Sequence, residues 1–199
     1  FLSSMGFNLN RLNPDLSLAL GSSSFSPLEM TRAYSLIANL GRPVNPYFIE
    51  RIEDRNGNII FDHKQGLKEK VELIFPWIDF AENRDNPFSV LPALEDSSID
   101  PRVLFMVKDI LQEALQRGVS GRKTKILDRK DIGGKTGTTN DAISTWFSGF
   151  SEELVTTIWV GTDDFSSLGK NEFGSSIALP IWVEFMENSL AKIPEKAAK

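Results

Sequence analysis

The chain has 199 residues, 41% of them hydrophobic and 25% charged, with a formal net charge of −5. That balance belongs to a globular protein of about one domain rather than a disordered chain, and the negative charge without a Lys/Arg cluster argues against a nucleic-acid groove. With no cysteine there is no disulfide, thiolate or zinc-thiolate chemistry, and His63 is the only histidine, so a triad or multi-histidine metal site has a single candidate. His63 follows Asp62 in a polar stretch and reads as a solvated surface residue. No apolar run approaches the roughly 18–20 residues a membrane span needs. The chain opens on Phe1 and enters directly on "FLSSMGFNLN", which reads as the downstream part of something longer.

The first legible element is "FSPLEMTRAYSLIANLG". Ser26 can cap a helix, Pro27 suits its first position, Glu29 completes a capping box and Gly41 can end it. Leu28, Ala33, Tyr34, Ile37 and Ala38 recur near helical period and are expected to face a core. "PYFIERIEDRNGNIIFD" then alternates apolar and polar residues around Asn56-Gly57, which predicts a tight hairpin with strands over about 47–53 and 58–62. Residues 63–98 hold no sustained period and read as loop with short pieces of structure.

Order returns at "DPRVLFMVKDILQEALQRG", where Asp100 caps, Pro101 opens and Gly118 closes a helix. Its Val103, Leu104, Val107, Ile110, Leu111, Ala114 and Leu115 form one apolar stripe, expected to be core. Three strands are predicted over 131–139, 143–150 and 154–161, the last two joined by the short Ser151-Glu152-Glu153. "SIALPIWVEFMENSLAKI" closes the chain as an amphipathic helix that should cover one sheet face, with Trp182 and Phe185 as packing groups. The expected class is α+β, an antiparallel sheet with helices packed on its faces.

The chemistry concentrates in "GGKTGTTND", residues 133–141. On a strand, Lys135, Gly137 and Thr139 lie on one side and Thr136 and Thr138 on the other, yet at the edge of a cleft all can border the rim. Gly137 would let a substrate backbone lie close against the strand, as in strand addition. A bound carboxylate could take hydrogen bonds from the hydroxyls while Lys135 supplies positive field, and a backbone N–H could face a developing oxyanion. A nucleotide phosphate loop is rejected, because Arg129 stands where its first glycine belongs and a strand-like run follows instead of a helix. A plain surface strand, its threonines present for β propensity, stays open at this point.

"DIGGKTGTTND", "TWFSGF", "LVTTIWVGTDD" and "IALPIWVEFM" together resemble the penicillin-binding transpeptidases of cell-wall synthesis. Upstream, "LSLALGSSSFSPLEMTRAYSLIANLGRPVNPYFIERIEDRNGNII" resembles the class A, bifunctional branch of that family. The similarity covers about 12–62 and 99–190. The resemblance implies that 1–199 is the C-terminal part of one transpeptidase domain, with 63–98 a variable insertion or loop region, strands carrying Lys-Thr-Gly within 131–161 and a C-terminal helix over 178–192.

Enzymes of this family use Ser-x-x-Lys with the nucleophile, then Ser-x-Asn, then Lys-Thr/Ser-Gly. Only the third is recognisable here. Ser-x-Asn does not occur, and Ser-x-x-Lys occurs at 120–123, 167–170 and 189–192. Of the three serines Ser120 is the first suspect, but it follows a finished helix and Gly121 disfavours starting another; by resemblance, "GVSGR" is the family's glycine-rich turn before the Lys-Thr-Gly strand, although it departs from the usual Gly-Thr-Gly.

By resemblance, Lys135 and Thr138 are the catalytic residues and Thr136, Gly137, Thr138 and Thr139 bind substrate, with Lys135 assisting proton transfer near the nucleophile. The ligand would be a D-Ala-D-Ala stem peptide or a β-lactam, with Thr136 and Thr138 on its carboxylate and the Thr138 N–H as one oxyanion donor. The nucleophilic serine, its lysine and the Ser-x-Asn pair are expected from an N-terminal part of the same protein, so this chain alone is expected to be inactive. No metal or organic cofactor and no nucleic acid are implied. The implied location is the periplasmic face of the bacterial inner membrane, with the anchor not in this chain. A serine β-lactamase or D,D-carboxypeptidase-like hydrolase is the alternative enzyme, since Lys-Thr-Gly does not separate hydrolysis from transfer. A non-catalytic fragment of the same fold is the alternative outside catalysis.

Overall fold

The computed structural model describes residues 1–64, 66–67, 91, 94, 99–118 and 120–195. The chain divides into two compact units, Phe1–Pro43 with Asp96–Lys199, and Val44–Glu95. Most of 63–98, read above as a variable or loop region, lies outside the described residues.

In the larger unit, three short 3-10 turns, Ser3–Met5, Leu9–Arg11 and Leu16–Leu20, precede helix α1, Pro27–Ala38. The expected capping box is formed: Ser26 Oγ accepts the Glu29 N–H at 3.2 Å while a Glu29 carboxylate oxygen accepts the Ser26 N–H at 2.8 Å. The helix stops at Ala38, three residues before Gly41, whose N–H returns to the Leu36 carbonyl. Ala33, Ile37 and Ala38 are buried as expected, and so is Leu36.

The Glu29 carboxyl feels opposing influences. Burial pushes its pKa up, but the Ser26 hydrogen bonds with the nearby Arg11 and Arg32 charges outweigh burial, and the net shift is downward. A carboxyl held below its unfolded value contributes stability above the ordinary glutamate range and loses it as pH falls through the folded value. Glu29→Gln is therefore expected to destabilise by about 0.5–2 kcal/mol near pH 7, and by less at acid pH. Thermal melts of both proteins at pH 7 and pH 4 check this; an equal difference at both would exclude the ionised cap as its source.

Helix α2 spans Pro101–Arg117, with Asp100 accepting the Arg102 N–H. The stripe expected to be core is only partly so. Leu104 and Leu115 are buried and Val107 and Leu111 half-buried, whereas Val103 is 40% and Ile110 64% exposed, and Ala114 is exposed too. The buried edge is instead completed by Lys108, whose Nζ reaches a Glu152 carboxylate oxygen at 2.5 Å and the Ala38 carbonyl at 3.2 Å. One ammonium thereby ties α2 to the end of α1 and to the turn that holds Glu152. Periodicity alone would have put a lysine outside.

A one-turn helix α3, Gly121–Thr124, leads to the sheet β4 (Gly133–Thr138), β5 (Ser144–Phe150) and β6 (Val155–Gly161), all antiparallel and in that order. The strand expected over 131–139 starts two residues later, because Asp131 is held by the Arg129 guanidinium at 2.8 and 2.6 Å and Ile132 enters the core. Helix α4, Ala178–Leu190, covers one face of the sheet, as expected. Its Leu179, Trp182, Val183 and Met186 gather with Phe147 of β5, Leu115 and Ile132. Phe150, on the opposite face by strand alternation, is also wholly buried. Helix α1 packs against β5 and β6, and α2 packs against β4. The architecture is α+β with antiparallel sheets, as expected.

In the smaller unit, β1 (Arg51–Glu53), β2 (Ile59–Asp62) and β3 (Gly66–Leu67) form a second antiparallel sheet. The hairpin turn is longer than Asn56-Gly57 alone suggested. Asp54 N–H donates to the Asn58 carbonyl at 2.9 Å, which leaves a three-residue loop, Arg55 to Gly57, with Gly57 at φ +81. This is the bulged hairpin form that requires a left-handed residue at its third loop position. The Asp54 carboxylate, accepting the N–H groups of Asn56 and Asn58, selects it. His63 is half-buried and stacked on Tyr47, ring centroids 3.5 Å apart, rather than solvated.

Candidate functional site

The segment 133–138 forms β4, the edge strand of its sheet: β5 pairs with one side, and among the described residues no strand occupies the other. The hydrogen-bond pattern shows which groups face that open edge. Thr139 N–H donates to the Ser144 carbonyl at 3.1 Å, which makes 139 and 144 a hydrogen-bonded pair in the register Thr138↔Thr145. Antiparallel alternation then turns the N–H groups of Gly134, Thr136 and Thr138 away from β5, to the open edge.

The side chains follow the same alternation. Thr136 pairs with Phe147 and, with Thr138, shares the α4 face; Lys135 and Gly137 lie on the other. Lys135 and Thr138 are exposed, Thr136 and Gly137 half-buried. Lys135 Nζ curls onto the Thr136 carbonyl at 2.9 Å, so its charge sits at the open edge even though its Cβ leaves from the face. Thr139 is drawn into the turn: its Oγ1 accepts the Ser144 N–H at 2.9 Å and lies 3.3 Å from the Ser144 carbonyl. The turn itself holds Asp141 and Ala142 at φ +59 and +51, left-handed conformations uncommon outside glycine. An exposed ammonium and outward N–H groups on the open edge, with the Thr136 and Thr138 side chains leaving from the adjoining α4 face, suit a ligand that is both anionic and peptide-like.

None of the three Ser-x-x-Lys matches forms a serine–lysine pair among the described residues. Ser120 stands at the N-cap of α3, contrary to the expectation that no helix would start there, but its side chain makes no cap bond. The helix is a single turn, and Gly121 fits because it nestles under the end of α2, where a Cβ would lie 2.4 Å from the Gln116 carbonyl. Lys123 Nζ is spent on the Ser175 carbonyl at 2.6 Å. Ser167 Oγ donates to the Asp141 carbonyl. Ser189 lies at the end of α4 beside an exposed Lys192.

Sequence reasoning missed the loop between β6 and α4. It returns to the site at Gly174, whose N–H donates to Thr138 Oγ1 at 3.0 Å. The only local signal was a glycine just ahead of a helix, 36 residues from its partner.

The ordered motifs, the sheet and this edge strand together define a penicillin-binding transpeptidase fold, and the chain belongs to that family: the model of the penicillin binding protein transpeptidase domain matches residues 5–187. It is 34% identical to penicillin-binding protein 1A of Pseudomonas aeruginosa over 98% of this chain and 26% of that protein. It is 38% identical to penicillin-binding protein 1A of Aquifex aeolicus over 90% of this chain and 20% of that one. The crystal structure of penicillin-binding protein 1A from Haemophilus influenzae matches all of this chain and 31% of its own, with a TM-score of 0.80 and 33% identity. The PonA1 protein from Mycobacterium tuberculosis, in complex with penicillin V, shares the fold at a TM-score of 0.68 and 22% identity, over 94% of this chain and 44% of that one. The chain thus spans between a fifth and about a quarter of the length of these curated relatives.

Proposed function

We propose that this chain supplies the anion-holding edge of a peptidoglycan D,D-transpeptidase site whose nucleophilic serine comes from outside these 199 residues. The observation that carries the reading is the unpaired edge of β4, where outward N–H groups of Thr136 and Thr138 coincide with the Lys135 charge. A stem peptide ending in D-Ala-D-Ala would lie along this edge as an added strand, its backbone passing Gly137. Its terminal carboxylate would accept from the Thr136 and Thr138 hydroxyls. Thr139 would contribute by closing the turn that ends the strand.

Chemistry then follows from where charge develops. The serine oxygen attacks the carbonyl carbon of the penultimate D-Ala, and the carbonyl oxygen becomes an oxyanion facing the Thr138 N–H. Collapse breaks the C–N bond, the departing amine takes a proton, and free D-Ala leaves a serine ester. An amine of a neighbouring strand attacks that ester and restores the serine. Lys135 assists by lowering the energy of negative charge and easing proton transfer beside the serine. A β-lactam would enter the same way through its own carboxylate, but its amine stays tethered and the ester persists. The site would work at the periplasmic face of the inner membrane. No helix among the described residues is long and apolar enough to cross a membrane, so the anchor would be supplied elsewhere in the protein.

Intact-mass detection of a penicillin adduct, on this chain alone and on the protein that contains it, tests the proposal. Expected is an adduct only on the longer protein, mapping outside these 199 residues. An adduct on Ser120 or any other serine of this chain would overturn it.

A further inference from the structure

We propose that the loop Thr162–Ile177 is a clamp that aims the Thr138 hydroxyl at the ligand's carboxylate, and that Gly174 is its positioning residue; this rests on the reading of β4 as the carboxylate-holding edge. The loop is fastened onto the end of β4 and the turn after it at three points. Gly174 N–H donates to Thr138 Oγ1 at 3.0 Å, Ser167 Oγ to the Asp141 carbonyl at 2.6 Å, and Leu168 N–H to the Ala142 carbonyl at 2.9 Å. Its far end is tied down as well. The Gly174 carbonyl accepts the Leu179 N–H at 2.8 Å, from the first turn of α4, and Lys123 Nζ holds the neighbouring Ser175 carbonyl at 2.6 Å. Leu179 belongs to the buried core, so the clamp is seated on the cluster that joins α4 to the sheet.

Gly174 is needed for space, not for its backbone angles, since its φ is not among the positive ones. A Cβ there would lie 2.5 Å from the Trp146 carbonyl oxygen and 2.7 Å from that of Gly137. Both neighbours are backbone and cannot turn aside. Any side chain therefore lifts the loop off the sheet and stretches the bond to Thr138.

A hydroxyl has one donor hydrogen and two acceptor lone pairs. With the Gly174 N–H occupying one lone pair, the hydroxyl of the exposed Thr138 no longer needs to act as an acceptor from water there. Its hydrogen is left to donate outward, the polarity an anionic ligand requires. Without the clamp the same hydroxyl is a rotor that must be ordered on each binding event. Gly174 thus acts on the ligand only through Thr138.

The test measures second-order acylation rates of the protein containing this chain, with benzylpenicillin and with its uncharged methyl ester. Gly174→Ala is expected to slow benzylpenicillin acylation about tenfold, the scale of one hydrogen bond to a charged group, and to affect the ester less. Thr138→Ala should slow it similarly, Thr138→Ser should retain most of the rate, and Gly174→Ala added to Thr138→Ala should cost nothing further. Ser167→Ala, a milder loosening of the same loop, should act in the same direction and covers the case in which Gly174→Ala does not fold. The clamp is overturned if Gly174→Ala and Ser167→Ala leave the rate unchanged, or if either slows both ligands equally and still does so in the Thr138→Ala background. A Thr138→Ala protein that acylates at the full rate would instead remove the carboxylate reading on which the clamp depends.

Discussion

Lys135→Ala is expected to slow acylation by benzylpenicillin about 10- to 100-fold, equivalent to roughly 1.5–3 kcal/mol for a lost interaction with a charged group, while leaving the melting temperature nearly unchanged. The two halves of this prediction come from the same geometry. Lys135 is exposed and its only polar partner among the described residues is the carbonyl of its own neighbour, Thr136. Surface substitutions of that kind usually stay within about 0.5 kcal/mol of the parent stability. A structural lysine would behave in the opposite way, as Lys108 should, being buried between Glu152 and the Ala38 carbonyl. Added salt should weaken binding of the anionic ligand to the parent protein and have less effect on the variant, because an exposed charge is screened. Full acylation rate in Lys135→Ala would take the residue out of the mechanism.

Trp182→Ala is expected to be the most damaging single change to the fold, costing about 3–5 kcal/mol, against a total that for domains of this size is about 5–15 kcal/mol. Trp182 is wholly buried in the second turn of α4, its ring 4.8 Å from that of Phe147 and tilted by 55°. It lies where a side chain at Gly149 would otherwise go, so no neighbour is placed to fill the space it leaves. Trp182→Phe should cost much less. It keeps most of the ring volume and removes a buried Nε1 that has no hydrogen-bond partner among the described residues. Denaturant titrations of the three proteins decide this, and a Trp182→Ala midpoint close to the parent's would mean that α4 is not what holds the sheet. Since α4 also carries the Gly174 turn, partial loosening of the helix should appear at Thr138 before the protein unfolds.

Local signals suffice where the structure depends on local chemistry. The start of α1 is determined by Ser26, Pro27 and Glu29 acting within one turn of each other, and Asp100 and Pro101 do the same for α2. The three strands of the larger unit begin and end within two residues of the predicted 131–139, 143–150 and 154–161. The hairpin in the smaller unit forms around the expected turn, but its first strand is Arg51–Glu53 rather than about 47–53, and it closes differently because Asp54, outside the Asn56-Gly57 pair, captures the loop N–H groups. The α2 stripe shows the limit of periodicity. It identifies a face, but how much of that face is covered depends on what else packs there, and here Leu104 is buried while Ile110 is not.

The sequence by itself determined the α+β class, the family and the segment that carries Lys135, Thr136 and Thr138, because these depend on residue order and on spacing within a few residues. Only the tertiary structure decided which edge of β4 is open, that Thr139 is taken up by its turn, and that Gly174 comes to rest on the Gly137 and Trp146 backbone. The reason is physical. An edge is open only relative to the strands around it, and the meeting of Gly174 with Thr138, 36 residues before it, is set by the path of β5, β6 and α4 rather than by either residue's own preference.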